Sequence, residues 1–146
     1  MKTALHFLAV VVFLMAAPSP CFALRSFAIV SKERAKELGI EIRSSKANNT
    51  DSVWVELEFK IEGELKEFNP ERGSLVELRI ADGEKSLLTT ALRLKQPSPG
   101  RVVASFSADR SQLSLITLSV VVGQGAAVGG AYELRLKDFV EVEKAR

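Results

Sequence analysis

The segment VVVGQGAAVGGAYELRLKDF, residues 120–139, sets Gly123, Gly125, Gly129 and Gly130 directly after an apolar run. A glycine-rich loop after a strand can cradle a phosphate, provided it opens a helix whose N-terminal N–H groups face the anion. The spacing departs from G-x-G-x-x-G, because position 128 is Val, and no Lys-Ser or Lys-Thr pair follows as in a P-loop. Downstream residues alternate with period two. These glycines therefore read as a hairpin between two strands, with a tip available for contact with a partner.

Trp54, the only tryptophan, falls on the otherwise charged side of a strand pattern. It reads either as an exposed platform that stacks on a sugar ring or anchors a protein, or as a residue packed under a loop near a strand end. Glu56, Glu58 and Glu62, with Glu64 and Glu67 beyond, form an acidic stretch that suits a hard cation such as calcium. Lys60 and Lys66 interrupt it, and no D-x-D-x-D-G loop occurs, so a solvated strand face is the simpler reading and no metal ligand is assigned. Asn48-Asn49-Thr50 is a formal N-glycosylation acceptor in a loop.

After residue 23 the chain has neither histidine nor cysteine. It then lacks the ordinary general base near neutrality, a thiolate nucleophile, and imidazole or thiolate metal ligands. A carboxylate pair or a Ser-Lys dyad is the chemistry left to an enzyme. The expectation is a protein without catalytic residues or cofactor, with a small carboxylate-based hydrolase as the remote alternative.

The first residues, MKTALHFLAVVVFLMAAPSPCFA, have the layout of a secretory signal peptide: Lys2, an apolar run from Phe7 to Ala17, then small residues to Ala23. The run is too short to span a bilayer, which takes about 20 residues. Cys21 raises acylation, but Pro20 stands where a lipoprotein signal needs Gly, Ala or Ser, so a lipid anchor at Cys21 is not expected. Removing residues 1–23 takes away the only Cys, the only His and one Lys, and leaves basic and acidic side chains almost equal. That balance gives no electrostatic footprint for nucleic acid.

Stepping along residues 24–146, VWVELEFKIE (53–62) places Val53, Val55, Leu57, Phe59 and Ile61 on one face. Period two over this length predicts a strand with one buried and one wet face. The pattern repeats at 74–80, 85–95, 101–108 and 131–142, with a bulge expected at Asp138-Phe139. In 85–95 Leu88, Leu92 and Leu94 share the apolar face. The run 113–122 has no strongly polar face, which predicts a strand in the middle of its sheet. Short strands are expected at 25–30 and 40–44, and 64–68 extends the Gly63 turn into a hairpin. Between the first two, Ser31 caps a short helix that ends at Gly39.

Eight or nine short strands with turn signals between them predict one all-β domain over 24–146, an antiparallel β-sandwich with one short helix near its start. Immunoglobulin-like topology is the first choice in that class, and Gly130-Ala131-Tyr132-Glu133-Leu134 resembles the tyrosine corner of such folds. The expected role is a secreted or periplasmic module that binds or scaffolds another envelope or extracellular protein. It would use edge strands or the loop set that holds Gly123, Gly125, Gly129 and Gly130. A carbohydrate- or calcium-binding module built on Trp54 or the acidic face is the alternative.

Overall fold

A computed structural model describes residues 27–46, 51–124 and 127–140. The expected leader over residues 1–23, Cys21, Asn48–Thr50, Gly125 and the end of the expected last strand lie outside the described residues. The fold is all-β, with nine strands among the described residues: β1 (Ala28–Ile29), β2 (Glu41–Lys46), β3 (Ser52–Lys60), β4 (Leu75–Asp82), β5 (Lys85–Ala91), β6 (Leu94–Ser98), β7 (Arg101–Asp109), β8 (Ile116–Gln124) and β9 (Ala127–Arg135). They form two sheets, ordered β1-β9-β8-β4-β5 and β2-β3-β7-β6. Every pairing is antiparallel except that of β1 with β9. Among the described residues no helix is long and apolar enough to cross a membrane.

The alternation in β3 does what it predicts. Val53, Val55, Leu57 and Phe59 are buried, while Trp54 and Lys60 face out. Val76 and Leu78 of β4, Val102 and Ala104 of β7, Leu118, Val120 and Val122 of β8, and Leu134 of β9 join them in one core. The rings of Phe59 and Phe68 meet edge to face at 4.8 Å between centroids, at an interplanar angle of 82°. β8 is the middle strand of its sheet, as its two weakly polar faces predict; Val121 and Ser119 on its outer face are buried as well.

The helix α1 (Lys32–Glu37) starts where expected, with the Ser31 hydroxyl accepting the Arg34 N–H at 3.1 Å, and it gives way to Gly39. Ala35 and Leu38 bury its inner side.

Five expectations are corrected. The run 85–95 is two strands in different sheets, because the chain crosses over at Leu92-Arg93; Leu88 stays exposed instead of joining a core face. Residues 64–68 do not form a strand: Gly63–Leu65 is a 3-10 turn that buries Leu65 and leads to buried Phe68. Arg110–Leu115 is another 3-10 turn, so β8 begins at Ile116, with Leu113 and Ile116 filling the core three residues apart. The last strand ends at Arg135 and not at 142; Leu136–Asp138 is a 3-10 turn, with buried Leu136 and Val140 in helical spacing. No bulge forms at Asp138-Phe139. The register shift falls between Val122 and Gly123 instead.

Candidate functional site

Gly123, Gly129 and Gly130 lie in the antiparallel pair of β8 and β9, and the glycines of β9 stand in a strand and not at the start of a helix. Gly123 has φ +99°, a conformation that side chains disfavour, and it pairs with Val128 while Val122 pairs with Gly130. Gly129 is thus the extra residue of a β-bulge. The Gly123 N–H donates to the Ser74 hydroxyl at 3.1 Å, and that buried oxygen also accepts the Asn69 N–H at 2.9 Å. At Gly130 an added Cβ would come within 3.1 Å of the Tyr132 ring, which lies along the same face of β9. Gly123, by its positive φ, and Gly130, by its closeness to the Tyr132 ring, accordingly have conformational and steric reasons to be glycine. Tyr132 is not a tyrosine corner in the expected sense: its hydroxyl donates to the Glu64 carboxylate at 3.0 Å, a side-chain partner instead of a backbone carbonyl.

Trp54 stands on the outer face of the β2-β3-β7-β6 sheet and is 44 % exposed. Directly opposite it on the neighbouring strands are Ser45 and Ser107, both exposed. The next outward residue of β3, Glu56, lies between Arg43 and Ser105, and is half-buried. One step further, Glu58 takes a two-pronged bond from Arg101, Nε to Oε1 at 2.6 Å and Nη2 to Oε2 at 2.7 Å. Arg43 is held by Glu41 at 2.5 Å and stands 3.9 Å from Glu58. The Arg101 hydrogen bonds chiefly, and the charges of Arg101 and Arg43 after them, hold the Glu58 carboxyl below its usual range.

The acidic stretch does not converge. Glu58 belongs to the arginines of the sheet face, whereas Glu64 is bound by Arg34 at 2.5 Å and by Tyr132. Those two bonds, Arg34 first, lower its pKa. Among the described residues no group of three histidine, cysteine or carboxylate side chains is placed to hold a metal ion.

The sheet edges differ in a way the sequence did not reveal. β2 carries Glu41, Arg43 and Lys46, and β6 carries Lys95 and Pro97; charge and proline are the usual protections of an open edge. β5, with the sequence KSLLTTA, has one charge at its start, and all seven of its residues are exposed. Leu87 is 51 % and Leu88 47 % exposed. Leu87 is the bulged residue, since Ile80 pairs with Leu88 and Ala81 with Ser86, leaving Leu88–Ala91 in regular register. The Leu92 N–H donates to the Val76 carbonyl at 2.8 Å. Alternation along an antiparallel ladder then turns the backbone N–H and C=O of Ala91 and Thr89 away from β4, toward the open edge.

Comparison with known proteins brought no counterpart: no protein-family model, no curated protein and no solved structure matches this chain.

Proposed function

We propose that this chain is a secreted or periplasmic, non-catalytic β-sandwich of immunoglobulin-like topology that binds another envelope or extracellular protein by accepting an extended segment along β5. The leader-like first 23 residues support the destination, and the lack of His and Cys after them supports a non-catalytic role. The strand orders support the topology. Read along the chain, β2-β3-β7-β6 corresponds to strands A-B-E-D of such domains, and β9-β8-β4-β5 to G-F-C-C′, with β1 added beside the last strand.

The observation that carries the binding reading is β5 itself. It is a sheet edge with outward backbone groups at Thr89 and Ala91, two exposed leucines, and neither the charges of β2 nor the proline of β6. Main-chain hydrogen bonds to such an edge give affinity, and alternate side chains give selectivity.

The test is mild crosslinking of the tagged protein in its own cells, followed by capture and identification. A single dominant envelope or extracellular protein is expected, and it should disappear with Thr89→Pro. That substitution removes an outward N–H and leaves the bonds to β4 in place. Capture that is unchanged by Thr89→Pro, with the melting temperature also unchanged, sinks the edge-pairing reading.

A further inference from the structure

On the opposite sheet from β5, Trp54 and Glu56 form a second surface, and we infer that it is a binding site for a neutral, β-linked oligosaccharide. The two side chains are successive outward residues of β3, about 7 Å apart along the strand from its rise per residue. That is close to the span of one pyranose ring. The indole is the one large apolar group of this face left exposed in β3, and its immediate cross-strand neighbours are the small serines Ser45 and Ser107, which leave room beside it.

The polar groups around it are unequally committed. Glu58 is saturated by Arg101, and Arg43 is held by Glu41. Glu56, although half-buried, takes no hydrogen bond or ion pair within the described residues, and neither do the hydroxyls of Ser45, Ser105 and Ser107. A carboxylate that accepts and hydroxyls that both donate and accept are the complement of a polyhydroxylated ligand. The electron-rich indole face is the complement of the weakly positive C–H bonds on the flat side of a β-linked pyranose. A protein hot spot would be expected to cluster apolar companions around the aromatic residue, and this face supplies none beside Trp54. The negative Glu56 disfavours an acidic sugar.

Because Trp54 is the only tryptophan, its fluorescence reports this site alone. The full chain would be titrated with cellohexaose, chitohexaose and xylohexaose, with hexamannuronate as the β-linked acidic counterpart. At least one neutral sugar should give a saturable blue shift, and hexamannuronate none. Glu56→Ala should weaken binding by about tenfold or more, as expected for loss of a charged hydrogen-bond acceptor. Trp54→Ala should abolish retention on the immobilised sugar in affinity electrophoresis. Both variants should melt with the parent protein, since neither residue belongs to the core. No shift with any of the three neutral sugars, or a shift that Glu56→Ala leaves unchanged, overturns the proposal. Neither result touches the β5 reading, which is tested by Thr89→Pro.

Discussion

The Tyr132 hydroxyl donates to Glu64 Oε2 at 3.0 Å and so joins two residues 68 positions apart. Arg34 completes the link by binding the other oxygen of the same carboxylate. The last strand, the 3-10 turn after β3 and the short helix are thereby fastened through one carboxyl group. Burial chiefly, and the Glu64 bond after it, push the Tyr132 phenol above its ordinary value near 10. The unfolded chain therefore gives up this proton first as pH rises. Its contribution is fully present below the ordinary phenol value and is lost as pH climbs through the raised one. Tyr132→Phe should flatten that alkaline decline in urea midpoints measured across the phenol range. Glu64 behaves oppositely: its lowered pKa gives stability above the ordinary carboxylate range that is lost as pH falls through the folded value, and Glu64→Gln should remove that acid-side slope.

Gly130→Ala should destabilise the fold by about 1–3 kcal/mol, because the new methyl group would press on the Tyr132 ring at 3.1 Å. In a Tyr132→Ala background the same substitution should cost close to nothing. A double-mutant cycle by chemical denaturation measures the coupling. Equal costs in the two backgrounds would mean that Gly130 is held for another reason.

Phe59→Ala should cost about 3–5 kcal/mol, since the ring is fully buried and meets Phe68 edge to face. Leu88→Ala should stay within about 0.5 kcal/mol, as expected for an exposed position. Denaturant midpoints of the two variants separate core from edge directly.

Ser74→Ala removes one buried oxygen that serves two backbone donors, the N–H groups of Asn69 and Gly123. Leaving them without that acceptor should cost about 1–3 kcal/mol. Faster amide exchange at Gly123 is the accompanying signature.

Strand β3 and the central place of β8 were legible because their side chains sort cleanly, one with a polar face and one without. The Ser31 cap was legible because capping is local. The 3-10 turns were not, because Leu65 with Phe68, and Leu113 with Ile116, are pairs three apart set inside segments that also fit alternation. The split of 85–95 was hidden for a related reason: Leu88 and Leu94 match in period but end up in different sheets, one exposed and one half-buried. Trp54 stood out as a residue type. Its serine neighbours did not, because they come beside it only through the pairing of β3 with β2 and with the distant β7. The weakness of the β5 edge likewise depends on strand order, which side-chain periodicity does not encode.

The parallel pairing of β1 with β9 has a temporal consequence. Ala28 sits opposite Tyr132, about a hundred residues later, and among the described residues β1 has no other strand partner. During synthesis the first strand is finished long before its mate exists. It must wait, unpaired, until Tyr132 and Glu133 have been made. Such distant closures are slow to find, so the β1–β9 pairing closes late in the folding of this sheet. Through that interval the chain remains a substrate for whatever holds, moves or degrades unfolded polypeptide.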